Sequence, residues 1–310
     1  MTMTETTKEV LEKYQVRKTK KQKRAFAAYV EDLAGRYGYS FRREKGVFGA
    51  ENLVVGDPDG ARVVYTAHYD TAPVLPFPNF ITPKNFFVYL LYQLALTVAI
   101  LAVMAVIGFL CGVGGALLKL DGSIIGHVTR ILWLILLLLL LAGPANRHTA
   151  NDNTSGVTLL LDMMRDLPSE QREGVAFVFF DLEEAGLFGS ASFARTHKKE
   201  MKDRLLLNFD CVSDGDHFLF ALRKGARRHR VAIERAFAPR DGYRVEVAEK
   251  GVFYPSDQLH FPAGVGVAAL RATRRGLLYM NRIHTSRDTV YREENLEFLK
   301  NGAIALPALL

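Results

Sequence analysis

ARVVYTAHYD, residues 61–70, is a short β-branched and aromatic run that closes on His68 and Asp70. A run of that length and composition reads as a buried strand. Two later runs repeat the plan: GVAFVFFDL at 174–182, continuing into EEAGLFGS, and LLLNFDCV at 205–212. Each is apolar until its last residues, where acidic side chains appear. In open α/β sheets, sites collect at the carboxyl ends of strands, so the pattern predicts an α/β fold with its chemistry on one rim.

The flanking sequence completes that sheet. Upstream, Phe26, Ala27, Val30, Leu33 and Ala34 recur at three and four, predicting an amphipathic helix over 20–37 that Gly38 ends. FRREK (41–45) and AENLVVG (50–56) are further strand-like pieces, and the turn DPDG (57–60) reads as a hairpin loop between the latter and residues 61–70. Downstream come a helix over 155–166, strands HFLFAL, YRVEVAE and VGVAAL, and a basic helix from Arg227 to Phe237. The expected class is a mixed, mostly parallel sheet with helices on both faces.

One segment does not fit that class. Pro73, Pro76, Pro78 and Pro83 break up a linker, and from Phe86 to Leu118 no charged residue occurs. That exceeds the roughly 20 apolar residues that span a bilayer core of about 30 Å. After KLDGS, residues 124–142 are apolar apart from His127 and Arg130, where Arg can reach the interface. Residues 85–143 are therefore expected to be an inserted transmembrane helical hairpin in contact with the lipid bilayer, dividing one soluble domain into 1–84 and 144–310. The alternative, two core helices, would require burying a 33-residue all-apolar segment.

The N-terminal 24 residues carry charge but no apolar core before a cleavage site, so the mature chain is expected to begin near Met1. With both ends of the hairpin on one side, and Lys84, Arg147 and His148 at its feet against Lys119 and Arg130 at its turn, the expected location is the membrane with the domain in the cytoplasm. The 310-residue chain has a net charge of +7 and 33 acidic residues, which fits anionic surfaces but not a polycationic nucleic-acid binder. The basic runs 17–24 and 227–230 read as solvated helix faces, the first with a secondary role against lipid headgroups. Cys111 and Cys211 imply no disulfide framework.

Five segments concentrate metal-type ligands: AHYDT (67–71), ANDNTSG (150–156), DLEEAGLFGS (181–190), NFDCV (208–212) and IHTSRDT (283–289). Two His with several carboxylates and no clustered Cys suit a borderline cation such as zinc in an N and O environment, with manganese or cobalt also compatible. In this order, and with SDQLHF (256–261) followed by PAGVG, they resemble the M28 family of metallopeptidases, the bacterial aminopeptidases and their relatives. The resemblance spans the chain except the hydrophobic hairpin. It implies a zinc aminopeptidase-like fold and two zinc ions acting on peptide substrates. His68 and Asp210 would hold one ion, Glu184 and His284 the other, and Asp152 would bridge them. Asp70 would orient His68, and Glu183 would be the general base that activates water between the ions.

The resemblance has departures. Some relatives place a Tyr just before the last metal His, where this chain has Ile283; Tyr254 is a substitute candidate for the oxyanion donor. Asp288 reads as structural, Ser256 and Asp257 either shape the substrate cleft or stabilise a turn, and Ser190 reads as helix packing, since LFGSAS lacks a G-x-S-x-G elbow. The competing readings are a glutaminyl cyclase with a single zinc and a catalytically inactive membrane receptor or scaffold. The sequence leaves side-chain preference and amino- versus carboxypeptidase action open.

Overall fold

In the computed structural model, which describes residues 3–240 and 242–310, the three apolar runs are neighbouring parallel strands. The strands are β1 (Phe41–Lys45), β2 (Glu51–Val55), β3 (Val63–His68), β4 (Val175–Phe180), β5 (Leu205–Phe209), β6 (His217–Leu222), β7 (Arg244–Ala248), β8 (Gly264–Ala272) and β9 (Leu278–Tyr279). They form one sheet in the order β1-β2-β4-β3-β5-β8-β6-β7, with β9 added to β8. The centre from β4 to β8 is parallel, and antiparallel pairs occur toward both edges. Because β3, β4 and β5 run the same way, His68, the segment after Phe180 and Asp210 all lie on one rim.

The helices are α1 (Glu5–Lys13), α2 (Lys20–Arg36), α3 (Phe86–Leu117), α4 (Gly122–Ala142), α5 (Gly156–Asp166), α6 (Phe188–Thr196), α7 (Arg230–Ala236) and α8 (Glu293–Ala305). Strand alternation assigns them to faces. Tyr65, Phe177, Phe179, Leu207 and Phe209 point to one side and pack with Phe26 and Val30 of α2, Leu160 of α5 and Leu299 of α8. Val64, Val178, Phe180 and Leu206 point to the other, against Phe193 of α6 and Phe261. Truncating one of these buried Phe residues to Ala costs about 3–5 kcal/mol. Periodicity does not anticipate α1: its one buried apolar side chain is Val10, and the rest of its anchoring is polar, with Thr4 and Thr7 bonded to Asp162.

The expected β2–β3 hairpin is not formed. β2 pairs antiparallel with β4, Leu53 opposite Phe179 and Val55 opposite Phe177, so β4 lies between β2 and β3. The DPDG turn is a crossover because the apolar faces are satisfied by a partner far along the chain, which local turn chemistry cannot report. The actual hairpin is β1–β2, closed through Phe48 and Gly49, both at positive φ.

Arg17 also departs from expectation. It is fully buried, its Nε donating to the Tyr69 carbonyl at 2.6 Å and its Nη1 to the Tyr14 carbonyl at 2.6 Å. Burial pushes its guanidinium down to about 10, against the attraction of Asp70 and Asp152. The solvated run begins later, and within it Lys23 pairs with Asp181. Thr19 and Gln22 form a reciprocal cap that starts α2 at Lys20.

Between β3 and α5 the chain leaves the sheet as α3 and α4, both long and apolar enough to cross a membrane. Their apolar side chains face outward: Leu94, Leu101, Phe109 and Leu138 are exposed. The two helices meet where glycines of α3 face larger side chains of α4. A Cβ at Gly115 would lie 2.4 Å from Ile125, and the Trp133 indole donates to the Met104 carbonyl at 2.8 Å. The base of α3 is seated on the body by Phe86 and Tyr89, whose rings lie 5.2 and 5.5 Å from that of Phe253.

Candidate metal centre

The strand register brings the first ligand candidates together. Thr66 is opposite Asn208, so two residues further on His68 stands beside Asp210, with Nε2 3.5 Å from Oδ1. Asp152 arrives from the segment before α5. That segment is fixed to the sheet by Asn153, whose amide donates to the Phe209 carbonyl at 2.9 Å. Gly156 is required here, because a Cβ would meet the same carbonyl at 2.4 Å.

Asp152 faces two histidines. Its Oδ1 is 3.2 Å from His68 Nε2 and its Oδ2 is 2.9 Å from His284 Nε2. His284 Nε2 also lies 3.1 Å from Glu184 Oε2. Two trios that could hold a cation result, His68–Asp152–Asp210 and Asp152–Glu184–His284, and they share Asp152. Glu183 joins a third grouping with His68 and Glu184 but belongs to neither of the first two.

Glu183 and Glu184 are presented by a turn after β4 in which Leu182 is at φ 55. Cys211 and His284 also occupy the left-handed region, at φ 58 each. Such backbone is costly for non-glycine residues and clusters at functional sites. The turn is held by Asp70, which accepts the backbone N–H of Glu183 at 3.0 Å and of Glu184 at 3.2 Å. Its distance to His68 Nδ1 is 3.6 Å, beyond hydrogen-bond length.

Asp288, read from sequence as structural, is built in beneath Asp152. Its two oxygens accept the N–H groups of Asn151 at 2.8 Å and Asp152 at 2.9 Å. Tyr254 lines the pocket, with its hydroxyl donating to the Asp210 carbonyl at 3.0 Å. Ser190 donates to the Leu187 carbonyl at the start of α6, as helix packing requires. Asp257 is fully buried with both oxygens lacking a hydrogen-bond partner, and burial pushes its carboxyl up to about 7. The sequence reading did not single out Asn79, whose amide lies 3.3 Å from His284 Nδ1.

The electrostatics favour a cation. Asp152, Glu183, Glu184 and Asp210 crowd together, and burial together with Glu184 and Asp210 pushes Glu183 far up while His68 opposes. Burial alone would lower His68, yet Glu183, Asp152 and Asp210 hold it well above its usual range. Burial opposes ionisation of Asp152, but His284 and His68 keep it well below the carboxylate range. The site thus draws in positive charge wherever it can. His68 Nδ1 and Glu184 Oε1 are buried without partners. Two imidazoles among carboxylate oxygens, with a shared Asp, match the donor set of zinc.

The model of peptidase family M28 matches residues 136–308. No curated protein sequence matches the chain. Among solved structures, the LapA aminopeptidase of Legionella pneumophila superposes with a TM-score of 0.55 at 15% identity, covering 98% of this chain and 68% of that one. A leucine aminopeptidase precursor of Bacteroides thetaiotaomicron gives 0.56 at 14% identity, covering 97% and 94%. A glutaminyl cyclase of Porphyromonas gingivalis gives 0.58 at 14% identity, also covering 97% and 94%. At these identities the likeness establishes the fold.

Proposed function

The chain belongs to peptidase family M28, and from that premise we propose that it is a membrane-anchored, two-zinc peptidase of the aminopeptidase type. The observation that carries the two-ion reading is the division of Asp152, one oxygen toward His68 and the other toward His284. His68 and Asp210 would hold one ion, Glu184 and His284 the other, with Asp152 shared between them.

Zinc bound there supplies Lewis acidity, which acidifies water and polarises a peptide carbonyl. The remaining work belongs to the chain. With His68, Asp152, Asp210, Glu184 and His284 taken as the ligands, the Glu183 carboxylate beside His68 and Glu184 would be left to take a proton from the attacking water and deliver it to the leaving amine. Asp70 fixes the turn that carries Glu183, and Asp288 fixes the backbone of Asp152. Ile81, Met280 and Ile283 give the pocket an apolar wall beside those polar groups.

The insertion, residues 85–143, is proposed to be the membrane anchor, supported by the outward-facing apolar surfaces of α3 and α4. It emerges after β3 and returns before α5, at the rim that carries His68 and Asp152. The cleft would therefore open near the bilayer surface, toward peptides released at the membrane or tails of membrane proteins. Basic residues at the feet, Lys84 and Arg147, support a cytoplasmic body.

Metal analysis of the purified, detergent-solubilised protein tests the two-ion reading. Two zinc ions per chain are expected. A single ion together with cyclisation of N-terminal Gln instead of hydrolysis would favour the single-zinc cyclase chemistry, and none at neutral pH a scaffold.

A further inference from the structure

His284 enters its trio through Nε2, 2.9 Å from Asp152 and 3.1 Å from Glu184. A histidine that gives the Nε2 lone pair to a cation carries its proton on Nδ1, and that N–H needs an acceptor to fix the ring. The side chain at Nδ1 is Asn79, at 3.3 Å. Its amide nitrogen faces the ring here, and rotating the amide by half a turn presents Oδ1 instead, an exchange that leaves the shape of the side chain unchanged. At His68 the counterpart is Asp70, whose Oδ1 lies 3.6 Å from Nδ1, beyond hydrogen-bond length.

Asn79 lies on the segment that leads from β3 into α3, and that segment grips the His284 loop in three places. The Leu75 N–H donates to the His284 carbonyl at 2.7 Å, holding the residue in its left-handed backbone at φ 58. Ile81 and Met280 exchange backbone bonds at 2.9 and 3.0 Å. The returning segment joins the same assembly: the Val74 N–H donates to the Pro144 carbonyl at 2.9 Å, and the Asn146 amide donates to the Thr285 carbonyl at 3.0 Å. Both feet of the insertion are thus built into the loop that carries one candidate ligand.

We propose that Asn79 is a positioning residue for His284, and that the first foot of the α3–α4 insertion completes the metal centre as well as leading to the anchor. The inference rests on reading His284 as a ligand. Asn79 accepts the Nδ1 proton and sets the ring plane, while Leu75 sets the backbone from which the ring projects. Without the Asn79 contact the ring turns about its Cβ–Cγ bond, and Nε2 no longer points steadily between Asp152 and Glu184.

The test is zinc affinity of the full-length, detergent-solubilised protein, measured by chelator competition, together with the visible spectrum of the cobalt-loaded form, which reports ligand geometry. Asn79→Leu, similar in size but without a polar atom, is expected to weaken one of the two ions, the one assigned to Glu184 and His284, about 10–100-fold and to alter the cobalt spectrum. Asn79→Asp, which keeps an acceptor, is expected to restore both. Wild-type affinity and spectrum in Asn79→Leu would overturn the proposal, as would equal losses in both variants. His284→Ala serves as the control: if it keeps both ions at wild-type affinity, the ligand reading itself fails, a result distinct from any behaviour of the Asn79 pair.

Discussion

Asp70 accepts the backbone N–H of Glu183 at 3.0 Å, and its second oxygen accepts that of Glu184 at 3.2 Å. One side chain at the end of β3 therefore sets the turn that carries both the proposed base and a proposed ligand. Asp70→Ala is expected to lower turnover about 10–100-fold and to weaken zinc binding, since both glutamates lose their fixed backbone. Asp70→Asn, with one acceptor oxygen left, should fall between. Steady-state kinetics and zinc titration on the same preparations check this, and wild-type values for Asp70→Ala would contradict it.

Glu183→Ala separates proton transfer from metal binding. Turnover should fall by a factor of about 100 or more with zinc content and thermal stability nearly unchanged. Loss of zinc in this variant would move Glu183 from base to ligand.

Asp152→Ala removes the residue shared by the two trios. Metal content and activity should fall together, and circular dichroism should report a folded body. Retention of two ions would refute the bridging role.

Away from the centre, His197 joins three parts of the fold: Nδ1 lies 2.7 Å from Asp59 and Nε2 3.0 Å from Glu44. The hydrogen bond to Glu44 raises its pKa, burial opposes, and Asp59 adds to the rise. A histidine raised in the folded state contributes stability that is complete below its unfolded pKa of about 6.5 and lost as pH climbs through the folded value. Thermal unfolding midpoints of wild type and His197→Gln should therefore differ most at mildly acidic pH and converge as pH climbs through the raised folded pKa. A difference that grows toward alkaline pH would contradict this.

Much of the candidate site was legible because His68, Glu184 and Asp210 end or closely follow apolar strands, where an apolar run meets polar residues, while Asp152 and His284 stand in short polar motifs before α5 and after β9. His68, Asp152, Glu184, Asp210 and His284 were singled out by the resemblance that the ordered motifs carry, and their side chains lie together in the structure. What was illegible depends on distant partners. Nothing around DPDG reveals that β4 inserts between β2 and β3. Arg17 looks like the first charge of a solvated run until Tyr69 and Thr154 are seen to surround it. Asn79 stands in a proline-broken linker, and only the fold places it against a histidine 205 positions away.

Membrane topology follows from the same insertion. In inverted inner-membrane vesicles, added protease should digest the body formed by 1–84 and 144–310, because both feet of the hairpin are proposed to lie on the cytoplasmic side. Protection of the body in those vesicles would reverse the orientation.

Product analysis of a peptide mixture tests the central claim most directly. Zinc-loaded, detergent-solubilised protein is incubated with peptides of free and blocked N-termini, including some that begin with Gln, and the products are read by mass spectrometry. The account predicts stepwise loss of N-terminal residues from free peptides only, abolished by chelation and by Glu183→Ala. Loss of ammonia from the Gln peptides with every peptide bond intact, or no metal-dependent change at all, would contradict it.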